Sequence, residues 1–399
     1  MRDHVEIGLG RTARRGYDLD QISIIPSRRT RDVDDVSIDW QIDAFRFGIP
    51  MMSAASDAVM SPAMAIAIGQ AGGLGVLDAE GIWTRYEDPT PVYARINALQ
   101  AFGAEDKFGA EDEFGAEDDA NFGLSQLAAT AVLQETYREP VQPGLIATRV
   151  KQVKDAGVAV ALRVSPQRTT ELAPAILAAG VDVLVIQGTI VSAEHVTTAG
   201  EGLNLKEFIA DLDVPVIVGG CADYQTALHL MRTGAAGIIV GPGDAAFGTE
   251  RILGIRVHMA TAIADAVEAR RDYLDETGGR YVHVLAGGQF FASGDVARAL
   301  ACGADAVVLG QCLNDAEETP AVHYWESVAA HPRLPRGDLQ FQLGDPRVPL
   351  AELLFGPARK ADGRTNLFGA LARTLAKTGY RDLKEFQKVD LVLNEAGRQ

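Results

Sequence analysis

Cysteine is scarce in this sequence. The chain of 399 residues contains three cysteines, Cys221, Cys302 and Cys312. A disulfide framework or a structural zinc site needs cysteines in pairs at short spacing, and these three do not form such pairs. We therefore expect a protein of a reducing compartment that binds no metal.

Long apolar runs and positive charge are also lacking. No stretch of about 18 apolar residues occurs, and the N-terminal segment has no apolar core of the signal-peptide type. The 37 Lys and Arg residues are outnumbered by 54 Asp and Glu residues, which gives a net charge of -17. Nucleic acid and anionic membranes would repel such a chain, so we expect a cytoplasmic protein that binds neither.

Short apolar runs, rich in β-branched residues, recur from residue 48 onward. Eight of them predict strands, at 49–54, 74–78, 158–164, 181–188, 214–220, 235–241, 281–288 and 304–310. Amphipathic segments that close on glycine lie between them, as helices that end in a left-handed glycine do. The alternation predicts a parallel sheet covered by helices, and eight units favour a (β/α)8 TIM barrel of the α/β class.

The predicted organisation is a single barrel domain over residues 1–399 with two additions. Residues 102–123 repeat a six-residue "FGAED" unit, and residues 102–119 hold eight acidic side chains and one lysine. This insertion after the second βα unit predicts a mobile acidic loop, with a docking site for a basic partner as the alternative. Residues 315–399 form a C-terminal extension in which "VPLAELLFGPA" predicts a short strand or turn, followed by two helices.

The candidate site lies where the predicted strands end. Glycine-rich loops follow strands six, seven and eight, as "GPGDAAFG", "AGGQFFASGD" and "LGQCLND". Glycine lets a backbone approach an anion closely, and barrel enzymes often hold phosphate at these loops. A nucleotide or sugar phosphate is therefore the expected ligand, although glycines that merely form tight turns would give the same pattern.

The sequence resembles the IMP dehydrogenase and GMP reductase family. The resemblance rests on "GYDLDQISIIPSRRT", "IPMMSAASDAVMSPAMAIAIGQAGGLGVL", "GADAVVLG" and the "GPG" after strand six. The motifs "EGIWTRYEDP", "VIQGTIVSAEHV" and "GYRDLKEFQKV" are most similar to actinobacterial IMP dehydrogenase-related proteins. The resemblance implies a tetramer of barrels that binds a purine nucleotide such as IMP and the cofactor NAD, here without the regulatory CBS domain pair.

The resemblance also implies site residues. The nucleotide would contact Ser53, Gly241, Gly243, Gly288 and Gly310, and the cofactor would lie near Gln187 and Gly219.

The departures from the family pattern lie at the same rim. The family's nucleophilic cysteine falls on Ala246 or Phe247, depending on the side from which the loop is aligned, and neither residue can attack a purine. Other replacements remove phosphate and ribose ligands, and they are Asp244, Gly287, Gln289 and Gln311. The sequence therefore leaves the catalytic residues unknown.

Other side chains could in principle take over the chemistry. Cys221 and Cys312 follow predicted strands and are expected near the mouth, while His195 and His258 are candidate rim histidines. His283 lies inside a predicted strand, so we expect it to be a core residue.

Three hypotheses remain open. The first is an NAD-dependent oxidoreductase that converts IMP to XMP, and the second is an inactive barrel that acts as a binding or interaction protein. The third is a barrel for an uncharged or cationic ligand.

Overall fold

The computed structural model describes residues 4–100, 116–189, 191, 202–243, 246–342 and 346–394. The strands are β1 (His4–Gly8), β2 (Arg11–Arg14), β3 (Ile22–Ile24), β4 (Trp40–Ile42), β5 (Phe45–Phe47), β6 (Met51–Ser53), β7 (Val76–Asp78), β8 (Ala161–Val164), β9 (Val183–Gln187), β10 (Val216–Cys221), β11 (Gly237–Val240), β12 (His283–Gly287), β13 (Ala306–Leu309) and β14 (Leu391–Leu393). The α-helices are α1 (Pro62–Gln70), α2 (Thr90–Asn97), α3 (Ala116–Thr136), α4 (Pro143–Lys154), α5 (Thr169–Ala178), α6 (Leu205–Ala210), α7 (Tyr224–Met231), α8 (Ala246–Leu253), α9 (Met259–Thr277), α10 (Ser293–Ala301), α11 (Leu350–Phe355), α12 (Leu367–Thr378) and α13 (Leu383–Phe386). Within these described ranges, no helix combines the length and the apolar character needed to cross a membrane.

The eight strands β6 to β13 form the predicted barrel. They pair in parallel in the order β6-β13-β12-β11-β10-β9-β8-β7. A parallel bridge between Met52 and Leu74 joins the two outer strands of that order, so the sheet closes on itself. Each predicted strand is present, and the prediction of a (β/α)8 barrel is confirmed.

The amphipathic segments between the strands are helices that end as their glycines predict. The glycines that follow α1, α4, α5, α7 and α10 have φ angles between 75° and 110°, and they are Gly72, Gly157, Gly180, Gly234 and Gly303. This left-handed conformation is strained for residues with a side chain, so glycine ends each helix at a defined point.

Two apolar layers hold the barrel together. Side chains such as Val185, Ile217 and Ile239 fill its interior, and the hairpin of β4 and β5 closes the amino end of the strands with Trp40 and Phe47. The outer faces of the strands pack against the helices in a second, larger cluster. A barrel filled in this way is a core, so a site can form only at its ends.

The C-terminal extension packs on the outside of the barrel and also reaches its mouth. Helix α12 packs against α10, and β14 pairs with β3 near the N-terminus. The prediction of a strand or turn at "VPLAELLFGPA" was wrong, because Leu350–Phe355 is the helix α11. Its buried residues Leu350, Leu353 and Leu354 follow the three- and four-residue spacing of a helix face.

The acidic insertion is only partly described. Helix α3 is described from Ala116 onward, so residues 116–123 are helical, and the loop predicted over 102–123 was wrong there. The repeats up to residue 115 lie outside the described residues.

Candidate functional site

The carboxyl ends of the barrel strands surround a small cavity. Its volume is about 60 Å³, and its walls come from the loops after β6, β9 and β11, from the end of β8, and from residues 326–328 of the C-terminal extension. Pockets for organic ligands usually measure about 300–1,000 Å³, so the cavity that the described residues enclose is small by comparison.

Arg163, near the end of β8, is the central cation of the mouth. Its Nε and Nη2 atoms donate to the Gln187 carbonyl at 3.1 and 2.8 Å, and its Nη1 lies 3.3 Å from Asp78 Oδ2. Burial opposes the charged guanidinium, but the charges of Asp78 and Glu80 raise the pKa of Arg163 above its ordinary value. The guanidinium is therefore a fixed positive charge that is committed to partners within the barrel.

Glu326 brings a carboxylate into the same cavity. It lines the cavity together with Arg163, and its charge is among those that raise the pKa of Arg163. A Cβ atom on Gly243 would lie 3.5 Å from Glu326 Oε1, so the strand-six loop passes directly beside this carboxylate. The mouth thus holds an acidic side chain where the resemblance implies an anionic nucleotide.

The segment that carries Glu326 is anchored by buried hydrogen bonds. Trp325 is fully buried, its carbonyl accepts from Ser56 Oγ at 2.5 Å, and its Nε1 donates to Tyr137 Oη at 3.1 Å. Tyr137 in turn donates to Asp57 Oδ2 at 2.6 Å. Burial and the neighbouring charge of Asp78 raise the pKa of Asp57 to about 7. Glu326 is therefore held in place and is not the tip of a free loop.

Of the predicted nucleotide-binding residues, only Gly243 lines the cavity. Ser53 is buried, and its Oγ accepts from the Val76 amide at 2.8 Å across the seam of the barrel. A Cβ on Gly288 would lie 3.2 Å from Met259 Cγ, and one on Gly241 would collide with the Gly287 carbonyl.

Gly310 is buried and caps a 3-10 helix. A Cβ atom at Gly241 or Gly288 would meet described neighbours, so both positions favour glycine for packing reasons.

The two predicted cofactor residues differ in their positions. Gln187 lines the cavity, but Arg163 occupies its carbonyl. Gly219 is buried in β10, where a Cβ would collide with Ile239, so its glycine serves close strand packing.

The thiols do not supply a nucleophile in the mouth. Burial raises the pKa of Cys221 to about 12 and that of Cys302 to about 11, which leaves almost no thiolate near neutral pH. Cys312 lines a different cavity, beside the 3-10 helix Gln311–Asp315 that follows β13. The expectation that Cys221 lies near the mouth was correct in chain position, but its thiol is buried.

The histidines are likewise engaged or distant. His258 Nδ1 lies 3.0 Å from Asp18 Oδ2 at the start of α9, and His195 lies outside the described residues. His283 begins β12, at the opposite end of the barrel from the mouth.

The amino end of the barrel has a wider cavity of about 570 Å³. Beside it, the buried Asp305 accepts from Arg270 Nη1 at 2.6 Å, from Tyr281 Oη at 2.7 Å and from Lys384 Nζ at 2.5 Å. Burial lowers the pKa of His283 to about 4, so its ring is neutral there. These contacts tie α13 to the barrel, and this end of the fold ordinarily serves stability.

Among the described residues, the mouth is acidic: Glu326, Asp78 and Glu80 place three carboxylates around one committed arginine. At an effective dielectric constant of about 20, a further anionic charge about 5 Å from a carboxylate is repelled by roughly 3 kcal/mol.

Sequence reasoning missed the residues that dominate this site. Arg163 and Asp78 each stand at the end of an otherwise apolar predicted strand, which is a signal that could have identified them. Glu326 and Tyr137 carry no such signal, because only the folded chain brings them to strands far away in sequence.

Comparison with known proteins agrees with the fold and with the family motifs. The model of the IMP dehydrogenase / GMP reductase domain matches residues 16–331. A Mycobacterium tuberculosis protein described as an uncharacterized oxidoreductase is 53% identical over 393 residues, which is 98% of this chain and 99% of that protein. The inosine-5'-monophosphate dehydrogenase of Methanocaldococcus jannaschii is 24% identical over 375 residues, covering 77% of this chain and 73% of that enzyme.

A crystal structure gives the same result in three dimensions. The IMP dehydrogenase/GMP reductase-like protein from Corynebacterium glutamicum superposes with a TM-score of 0.88 and 51% identity, over 98% of each chain. The chain therefore belongs to the IMP dehydrogenase / GMP reductase family.

Proposed function

We propose that this protein is a family member that does not oxidise a purine nucleotide through a cysteine adduct, and that it acts as a binding or interaction protein. The observation that carries the proposal is the small acidic cavity at the mouth, where Arg163 is committed to Asp78 and Gln187 and Glu326 lines the remaining space. A substrate of nucleotide size would have to displace an anchored segment.

The missing nucleophile supports the same proposal. The covalent step needs a thiolate that adds to the purine and later leaves, and the family's cysteine position holds Ala246 or Phe247. Covalent catalysis is part of a total enzymatic rate enhancement that exceeds about 8 kcal/mol in transition-state free energy, so its loss is not a small perturbation.

The second candidate function is an NAD-dependent oxidation of IMP to XMP in guanine nucleotide biosynthesis. It is favoured by relatives named as oxidoreductases over 98% of the chain. This function requires Glu326 to leave the mouth and another group to replace the thiolate.

One pair of measurements separates the two functions. The protein is incubated with IMP and NAD while NADH absorbance is followed, and IMP, GMP and NAD are titrated calorimetrically. We expect no NADH and no heat of binding. Turnover with IMP and NAD would refute our proposal, whereas silence in both measurements removes the oxidoreductase alternative.

Variants of Glu326 test the physical reason. Glu326→Gln removes the charge and keeps the size, while Glu326→Gly removes both. If volume excludes the nucleotide, Glu326→Gly gains IMP binding and Glu326→Gln does not, whereas a gain in both variants identifies charge as the cause. Ala246→Cys in the Glu326→Gly background is expected to remain inactive, because the phosphate and ribose ligands are also changed.

We further propose a cytoplasmic homotetramer, as the resemblance implies. Exposed apolar side chains on the N-terminal hairpin support self-association, since Ile7 is 65% exposed and Leu9 fully so. Light scattering on the purified chain measures the mass, and Leu9→Lys should lower it if the hairpin lies in an interface.

A further inference from the structure

The cavity at the amino end of the barrel lies at the opposite end from the mouth. Its volume of about 570 Å³ falls within the range of about 300–1,000 Å³ that is usual for pockets of organic ligands. Its walls come from the hairpin of β4 and β5, from the start of β12 and from the start of α13. We propose that this cavity binds a small uncharged ring compound that carries a hydrogen-bond acceptor of the pyridine or carbonyl type.

His283 supplies an N–H group that no described residue uses. The Nδ1 atom of its ring accepts from Trp40 Nε1 at 3.4 Å. Because burial keeps the ring neutral, its single ring proton lies on Nε2. This Nε2 makes no hydrogen bond within the described ranges, and it has accessible surface. Since His283 lines the cavity and the rest of its side chain is buried, the N–H group opens on the cavity.

Aromatic rings hold this imidazole in place. Trp40 lies edge-on to the His283 ring with centroids 6.2 Å apart, and Tyr281 lies edge-on to it with centroids 5.0 Å apart. Trp40 and Tyr281 also line the cavity, so a flat ligand ring meets aromatic surface beside the donor. A donor that is already fixed loses little conformational freedom on binding, which favours a ligand that accepts from it.

The charges of the wall disfavour ionic ligands. The carboxylates of the lining outnumber its cations, and these charged residues are Asp39, Asp43, Asp305 and Asp382 against Arg46 and Lys384. Asp305 accepts from Lys384 Nζ at 2.5 Å, and Asp39 Oδ2 accepts from Arg46 Nε at 3.1 Å. The acidic groups that are left over repel an anion. A cation whose polar groups are N–H donors would face the N–H group of His283, donor against donor.

The size of the cavity admits one ring or two fused rings. An engineered cavity of about 150 Å³ in another protein takes benzene, so a cavity of about 570 Å³ admits a molecule such as quinoline. A ligand of this size with one hydrogen bond is expected to bind with a dissociation constant on the order of 1 mM.

Saturation-transfer NMR titrations with four matched probes test the chemistry. Quinoline is uncharged near neutral pH and carries an acceptor nitrogen, whereas indole has a similar shape and carries a donor only. 2-Naphthoate carries a negative charge, and N-methylquinolinium carries a positive charge and no acceptor. We expect quinoline to bind more tightly than each of the other three probes.

Each of the other outcomes overturns the proposal. Equal binding of indole would show an aromatic surface without a role for the donor. Tightest binding of 2-naphthoate would show an anion site, and tightest binding of N-methylquinolinium would show a cation site. Absence of saturation transfer to quinoline would show that the cavity takes no such ring.

A matched pair of variants locates the binding. His283→Phe removes the N–H donor and keeps a ring, and His229→Phe makes the same change at an exposed position of α7. Quinoline binding should weaken about tenfold in His283→Phe, which is the ordinary net effect of losing one hydrogen bond, and stay unchanged in His229→Phe. Equal affinity of the unchanged protein and His283→Phe for quinoline would refute the role of the donor.

A measurement on the unchanged protein covers the case in which His283→Phe fails to fold. Lys384 lines the cavity, whereas Lys388 is an exposed lysine of the same segment outside the cavity wall. Quinoline should slow acetylation of Lys384 by acetic anhydride, measured by mass spectrometry, and leave Lys388 unaffected. Acetylation of Lys384 at the same rate with and without quinoline would contradict the site. Neither outcome depends on the proposal for the barrel mouth.

Discussion

The buried carboxyl group of Asp57 gives the sharpest test of how the mouth is held. Asp57 is 4% exposed and accepts from Tyr137 Oη at 2.6 Å and from the Ile82 amide at 2.9 Å. Burial and the charge of Asp78 raise its pKa from 3.8 to about 7. The perturbation is Asp57→Asn, since the amide has the shape of the protonated carboxyl and carries no charge at any pH.

The sign and size of the effect follow from linkage. Between pH 3.8 and about 7 the folded protein keeps Asp57 protonated while the unfolded chain ionises it, so this group's contribution to stability falls as pH rises. A shift of about 3 pKa units corresponds to roughly 4 kcal/mol across that window. Asp57→Asn removes this loss, so the variant should gain up to about 4 kcal/mol relative to the unchanged protein between pH 4 and pH 8.

A second buried group acts in the opposite direction and must be separated from the first. Burial lowers the pKa of His283 from 6.5 to about 4, so its contribution to stability rises with pH between these values, by roughly 3 kcal/mol. In the unchanged protein the contributions of Asp57 and His283 to stability largely cancel between pH 4 and pH 6.5. The pH dependence of its unfolding free energy therefore does not reveal either group. The difference between the protein and its Asp57→Asn variant isolates the carboxyl group, because His283 is present in both.

The assay is urea unfolding at several pH values from about 4 to 8, with Asp43→Asn as the control. Asp43 is an exposed carboxyl group in a turn with φ 49°, a conformation that asparagine tolerates. This control makes the same chemical change at an exposed position. If the free energy of unfolding changes with pH in the same way for Asp57→Asn and for the unchanged protein, the pKa of Asp57 is not raised.

Two further predictions concern the same network. Arg163→Met should cost about 3 kcal/mol in the free energy of unfolding, because it leaves the buried Asp78 without its cation, and Asp78→Asn in the same chain should restore part of this loss. Equal costs for the single and double variants would contradict the pairing. Gly81→Ala should cost about 1–3 kcal/mol, since its Cβ would lie 2.8 Å from Asp57 Oδ2. Gly144→Ala in helix α4 meets nothing within 4 Å and should be neutral or stabilising, so similar thermal shifts in the two alanine variants would show that crowding is not the cause.

The occupied mouth gives these stability predictions a functional meaning. Asp57, Tyr137 and Trp325 form one hydrogen-bonded chain that ends at the residue next to Glu326. Ionisation of Asp57 above pH 7 introduces a buried charge beneath that anchor. Nucleotide titrations at pH 6 and pH 8 test whether this charge changes access to the mouth.

The sequence by itself determined the barrel. Three local patterns predict it: apolar strands of five to eight residues, amphipathic segments between them, and glycines at the helix ends. Backbone preferences and the burial of apolar side chains explain each pattern without any long-range contact. The sequence also showed that the family's cysteine is absent at position 246 or 247, because this conclusion required only the alignment of one loop.

Only the tertiary structure decided what the strand ends do. At the glycines 241 and 288, a Cβ atom would meet the Gly287 carbonyl and Met259, so close packing in the folded chain favours glycine there. Glu326 is unremarkable in sequence, and it reaches the mouth because the C-terminal extension folds back over the rim. Such contacts join different βα units or the C-terminal extension, and the spacing of residues along the chain carries no information about them.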